Sequence, residues 1–255
     1  MALTDKLTAI ADAIRGKTGK TDGLTLDAMP GEIAGIQSGG DTSMEDGLVE
    51  RTITSYINDR ITTVGNMAFY NNSTITNVSL PNAATVKNAC FQNSALQTFF
   101  LPKVTKIEDR AFQNCKVEQI VESDFPSNPS IGMYAFTNMS KLKYVKQPHR
   151  CIYHNREWET CPVLEKVDLF ATCLTYNVFK SCGALATLIL RRDDAICELG
   201  NMNALSSTPI VNGTGFVYIP RALIEEYRQA TNWSSLLPEQ FRAIEDYPEI
   251  CEVGV

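Results

Sequence analysis

The residues of this 255-residue chain that could do chemistry are eight cysteines, two histidines and a few adjacent carboxylates. The cysteines stand at 90, 115, 151, 161, 173, 182, 197 and 251. No C-x-x-C occurs among them, and His149 and His154 are far from a zinc-finger spacing. Gly16-Lys17-Thr18-Gly19-Lys20-Thr21 tempts a phosphate-loop reading. That loop needs a glycine where Ile14 stands and a strand before it, where a helix pattern is found instead, so the segment reads as a solvated turn. Asp193-Asp194 and Glu225-Glu226 are sequence neighbours, which diverge on a strand or helix and make solvated faces rather than an acid/base pair. G-x-S-x-G, H-E-x-x-H and G-x-G-x-x-G are all missing. Nothing here points to catalysis, a metal or a cofactor.

The elements that must position any functional residue are repeats. Val64…Ala68-Phe69-Tyr70-Asn71 comes round as Val86…Cys90-Phe91-Gln92-Asn93, Ile107…Ala111-Phe112-Gln113-Asn114 and Ile131…Ala135-Phe136-Thr137-Asn138. Tyr153…Glu157-Trp158-Glu159-Thr160 and Leu174…Val178-Phe179-Lys180-Ser181 continue the series. The ring positions step by 22, 21, 24, 22 and 21 residues, a period that means a solenoid. Each ring is followed by an apolar triplet: Ile75-x-x-Val78-x-Leu80, Leu96-x-x-Phe99-x-Leu101, Leu164-x-x-Val167-x-Leu169 and Leu185-x-x-Leu188-x-Leu190. Val117-x-x-Ile120 and Leu142-x-x-Val145 are partial copies. The last pair of each triplet alternates as a strand with one buried face, and Pro81 and Pro102 end it. Such a unit has room for two extended segments and two turns. It buries its apolar face only by stacking on its neighbours.

The rings are therefore expected to form one column, and Asn71, Asn93, Asn114, Asn138, Thr160 and Ser181 a turn-forming ladder rather than a ligand row. Cys115, Cys161 and Cys182 share one repeat position, three residues after the ring, and Cys90 stands where other units have alanine. Buried free thiols explain these cysteines better than disulfides.

The I-x-x-x-A-F-x-N blocks followed by L-x-x-V-x-L-P resemble the BspA-type leucine-rich repeat family over roughly residues 48–220. The resemblance implies a right-handed coil of short parallel strands and a binding or adhesin role rather than an enzyme. The fifth unit departs from the pattern at Glu157, Trp158 and His149 to Asn155, which implies a less regular coil there.

Before the repeats, Leu3, Leu7, Ile10 and Ile14 make the seam of an amphipathic helix, and Met29, Ile33 and Ile36 lie on one face of a second short helix. The pair is read as an attachment or oligomerisation segment, residues 1–36, joined by a linker at 37–47; a hairpin capping the coil is the alternative. The stretch from Leu3-Thr4-Asp5 to Ile36 is similar to a segment that opens many phage and prophage tail-associated proteins. That resemblance implies virion attachment. Leu48, Ile53 and Ile57, with Val49 and Tyr56, suggest the first strands. A weak seventh unit runs through Cys197 and Met202. After a strand at Gly215–Ile219, a helical cap over 221–255 is expected: one helix starting at Pro220, with Leu223, Ile224 and Tyr227 facing the coil, a second over Pro238 to Ile244, and Trp233 packed between.

Net charge is −6, which argues against a general nucleic-acid surface. No window approaches a membrane-spanning length, and the start lacks a secretory signal. Contact residues are sought where the repeat is irregular, at Arg150, Tyr153, His154 and Arg156, because Tyr and Arg favour binding hot spots. Tyr153 has a second reading as the Val64-equivalent core residue. The expectation is a non-enzymatic tail or baseplate protein, a homo-oligomer with a trimer favoured. It would be made in a host bacterial cytoplasm and bind a host surface protein or glycan or another virion protein. A bacterial surface adhesin or interaction scaffold is the alternative.

Overall fold

The computed structural model describes residues 53–125, 129–153 and 156–251, with no side chains described for 148–153 and 251. All of them belong to the second of two compact units, residues 43–255. The expectations placed on residues 1–36, with Leu3, Leu7, Ile10 and Ile14, on the linker and on Leu48 and Val49 lie outside the described residues.

The strands in chain order are β1 (Ser55–Ile57), β2 (Thr63–Val64), β3 (Asn77–Ser79), β4 (Thr85–Val86), β5 (Thr98–Phe100), β6 (Lys106–Ile107) and β7 (Gln119–Ile120). They continue as β8 (Ser130–Ile131), β9 (Tyr144–Tyr153), β10 (Lys166–Leu174), β11 (Thr187–Leu190), β12 (Glu198–Leu199) and β13 (Phe216–Ile219). Helix α1 (Ile224–Gln229) precedes the last strand, β14 (Phe241–Ala243). The pairings are parallel, as a coil that returns once per turn requires. β2, β4, β6 and β8 form one ladder, β1, β3 and β5 a second, and β7, β9, β10, β11, β13 and β14 a third, with β12 joined to β10.

Every triplet residue of the complete and partial copies is buried, so the apolar steps of three and two do map one face of each coil. The ring column exists over five of its six positions, and the sixth ring, Phe179, is buried in the next coil. Phe69, Phe91, Phe112, Phe136 and Trp158 stack with centroids 4.8, 5.1, 5.2 and 4.4 Å apart. The fifth unit keeps its place in spite of Glu157: the Phe136–Trp158 pair is the flattest, at 7°. Its irregularity sits in the strand instead. Gln147 pairs with Leu169 but Arg150 with Phe170, so Pro148 and His149 form a bulge on β9, where a missing N–H costs no ladder bond. The first strand is found at Ser55–Ile57: Tyr56 packs edge-on to Phe69, while Ile57 is 76% exposed.

Around each ring the backbone turns twice through the left-handed region. Asn71, Asn93, Asn114, Asn138, Thr160 and Ser181 have φ between 53° and 62°, and Met67, Ala89, Arg110, Tyr134, Arg156 and Asn177 between 51° and 63°. The first set is the predicted ladder. Its N–H groups donate to the next coil, Asn71 to Gln92 at 2.9 Å and Asn93 to Gln113 at 2.9 Å, and the Asn93 amide also donates to the Asn71 Oδ1 at 2.9 Å. Asn tolerates this conformation best among residues with a side chain.

The cysteines three residues after the ring are buried and free. Each donates S–H to the carbonyl of the preceding ring residue: Cys115 to Phe91 at 3.1 Å, Cys161 to Phe136 at 3.4 Å and Cys182 to Trp158 at 3.1 Å. Burial pushes the Cys115 thiol up to about 12, so the reactive thiolate is essentially absent at neutral pH.

The seventh coil is real and ends the column. Leu205 takes the ring position, since the Phe179 and Ser181 N–H groups donate to Ala204 and Ser206, and Ser207 repeats the left-handed turn at φ 61°. The helical cap is corrected. Among its described residues only α1 is an α-helix; Pro238–Gln240 is a 3₁₀ turn, and Phe241–Ala243 is a strand paired with β13. Phe241-Arg242-Ala243 alternates apolar and polar, and the open edge of β13 offers the hydrogen bonds that a helix of so few residues could not supply. Leu223 and Tyr227 do face the coil, and Trp233 is fully buried, its indole N–H donating to the Cys197 carbonyl at 2.7 Å.

Candidate interaction surface

The turn preceding each ring sets a row of side chains on successive coils: Met67, Ala89, Arg110, Tyr134, Arg156 and Asn177, each two residues before its ring. The main chain locks the row coil to coil. The Arg110 N–H donates to the Met133 carbonyl at 3.0 Å and the Arg156 N–H to the Tyr176 carbonyl at 3.2 Å.

Three members of the row form a stack. The Arg110 guanidinium carbon lies 5.1 Å from the Tyr134 ring centroid and that of Arg156 lies 5.7 Å from it. Arg156 also reaches Glu159 at 3.4 Å, and its own carbonyl accepts the Thr137 hydroxyl at 2.7 Å. Tyr176 is 43% exposed and Met133 41%, so an apolar border flanks the two cations. Arg and Tyr here pay for the left-handed backbone that Asn would adopt more cheaply, at a cost of about 1 kcal/mol per residue. Two guanidinium groups held against one ring suit an anionic group on a partner, with the aromatic edge supplying contact area.

Of the residues singled out from sequence, Arg156 joins this stack. Arg150 and Tyr153 lie on β9, paired with Phe170 and Leu174, and His154 lies outside the described residues. Tyr153 falls on the Val64-equivalent strand position, opposite the fully buried Leu174. Arg110, Tyr134 and Tyr176 were not singled out. The signal that finds them is repeat position: two or three residues before a ring, where polar and bulky types replace the small or amide residues of other units.

Among the described residues, no three of His, Cys, Asp and Glu gather as a metal site, and no helix is long and apolar enough to cross a membrane.

The family model described as "BspA type Leucine rich repeat region" matches six copies, over residues 49–118 and 105–208. A leucine-rich repeat protein from Bacteroides ovatus superposes with a TM-score of 0.55 at 23% identity, over 71% of this chain and 47% of that one. The chain thus spans about half the length of that protein. A leucine-rich repeat protein of T. pallidum superposes at 0.49 and 19% identity, over 82% and 92% of the two chains. A leucine-rich cell surface protein from Faecalibacterium prausnitzii gives 0.26 and 15%, over 86% and 89%. A search of curated proteins finds no match.

Proposed function

From the premise that the chain belongs to the BspA-type leucine-rich repeat family, we propose that it is a non-enzymatic interaction scaffold whose solenoid binds a surface protein or glycan. The observation that carries this reading is the Arg110–Tyr134–Arg156 stack, with Arg110 exposed and Tyr134 and Arg156 half-buried. Labelled chain is expected to bind intact bacterial or epithelial cells in flow cytometry. Replacing Arg110 and Arg156 together by Ala should lower that binding about tenfold without changing the melting profile. Equal binding by the double variant would remove the stack from the interface.

A finer reading places the scaffold on a virion. Its support is the first 36 residues, which are similar to the opening of phage and prophage tail-associated proteins. On this reading residues 1–36 attach the chain to tail or baseplate proteins as a trimer or other ring, and the solenoid meets the host receptor. Deleting residues 1–36 should leave a soluble folded monomer that no longer joins particles. Incorporation of the shortened chain would reject the attachment role. A bacterial surface adhesin remains the competing reading, and it would be favoured by a signal-bearing reading frame upstream of Met1.

A further inference from the structure

The ladder of triplet strands is split between β5 and β7, and a cleft of about 680 Å³ opens there. The cause is in the third coil. Where Leu80, Leu101, Leu169 and Leu190 end the triplet of other coils, and Gln147 that of the fourth, this one carries the charged Glu122, and β7 is only two residues long. The chain leaves it through a 3₁₀ turn, Glu122–Asp124, and drops Phe125 into the core against Phe99 at 5.1 Å and Phe136 at 6.0 Å. Phe125 fills the missing leucine's volume from another direction, so the core closes while the ladder does not.

The backbone shows how far the split extends. Across the other coil boundaries one tie recurs: Gln97 N–H to Thr76 C=O, Lys143 to Glu118, Glu165 to Lys143, at 2.8, 2.8 and 2.9 Å. Between β5 and β7 the tie is instead Lys116 N–H to Leu96 C=O at 2.8 Å. The coils are therefore pinned before the strands begin and separate along them. The opening is a wedge, closed at one end.

We propose that this wedge is a binding site for a neutral, hydroxyl-rich ligand, a short segment of glycan. Glu118, Lys143 and Glu165 stand on successive coils along its rim and alternate in sign. They form no ion pair with one another or with any other described residue. Gln97 and Gln119 add two amides whose side chains are equally unengaged, and all five are exposed. A hydroxyl both donates and accepts, so one sugar can serve a carboxylate, an ammonium and an amide together. Phe99, Val121 and the Tyr144 ring give the wedge an apolar wall for the C–H face of a pyranose. Lys166 stacks over Tyr144 at 5.4 Å and holds that wall in place. Two lysines stand against three carboxylates, counting Asp124, so an anion is not favoured by charge and the interleaved lysines disfavour a cation. The volume is that of a small-ligand site. An extended peptide fits less well, because adding a strand needs an open edge over several residues and the tie at Lys116 closes this one.

This site is separate from the Arg110–Tyr134–Arg156 stack, and each can fail without the other. The test is a glycan array carrying neutral and acidic oligosaccharides, probed with the full chain, followed by calorimetry on the strongest hit. A neutral oligosaccharide is expected. Its Kd should weaken about tenfold in Glu118→Ala and in Glu165→Ala, while Asp193→Ala, at an exposed carboxylate outside the wedge, leaves it unchanged. Raising the salt concentration should move the Kd less than about twofold, since no net charge is neutralised. Thermal melts of the two rim variants should match the parent, because both side chains are exposed. An array with no hit, hits confined to acidic glycans, a hit indifferent to both rim substitutions, or an extended peptide that occupies the wedge would each overturn the proposal.

Discussion

Phe112→Ala is expected to cost about 4 kcal/mol and to split the unfolding transition in two. No other ring in the column has so many aromatic neighbours. It stacks on Phe91 at 5.1 Å and Phe136 at 5.2 Å, and meets Phe99 at 5.1 Å and Phe125 at 6.3 Å. It is fully buried, so truncation leaves a cavity that four rigid rings cannot collapse into. In a solenoid, stability is close to a sum of coil terms and nearest-neighbour interfaces, and this cavity falls on an interface already weakened by the split between β5 and β7. The coils before it should therefore release first. Both tryptophans, Trp158 and Trp233, lie beyond the lesion. Urea titration should show far-UV circular dichroism falling early while tryptophan fluorescence holds. Phe100→Ala, at a side chain 48% exposed, should change stability by less than about 0.5 kcal/mol. A single coincident transition for Phe112→Ala, with a loss below about 1 kcal/mol, would mean that the column carries little of the stability.

How much of this was legible depended on whether a feature repeats. The rings, the triplets, the asparagine ladder and the thiols at one repeat position could be read because six copies average out the noise of any one. Phe125 could not, because it replaces a missing leucine from three residues further on and belongs to no repeat position. In the sequence the split is marked only by Glu122 in an apolar slot and by Pro126 and Pro129 after it, and neither says that a ladder opens. The left-handed turn at Arg110 and Tyr134 was hidden for a different reason. Neither residue type favours it, and the coil imposes it through main-chain bonds from one turn to the next. At the C-terminus, Phe241-Arg242-Ala243 is too short for periodicity to decide, and the partner that decides it, β13, is distant in sequence.

Arg191→Ala should destabilise the chain by about 3–5 kcal/mol, while replacing both members of its ion pair should cost little. Asp168 sits on β10 between Val167 and Leu169, in register with Lys146 and Ile189, and its side chain is fully buried. Arg191, one coil on, grips it with two parallel bonds, Nε to Oδ1 at 2.5 Å and Nη2 to Oδ2 at 2.7 Å. The Arg191 side chain keeps 27% of its surface in water, so the cost of desolvation falls mainly on the carboxylate. Removing the arginine leaves that buried carboxylate without its two donors. Arg191→Lys should recover only part of the loss, because an ammonium cannot make the two-point contact. The double replacement Asp168→Leu with Arg191→Met removes the buried charge along with its partner, and it should fall within about 1 kcal/mol of the parent or exceed it. Urea midpoints of the parent, the two single arginine variants and the double variant decide the matter. A loss in the double variant as large as in Arg191→Ala would show that the pair stabilises the coil outright. A near-parent double variant would instead assign the pair to holding β10 and β11 in one register, since a one-residue slip would bury Asp168 without its arginine.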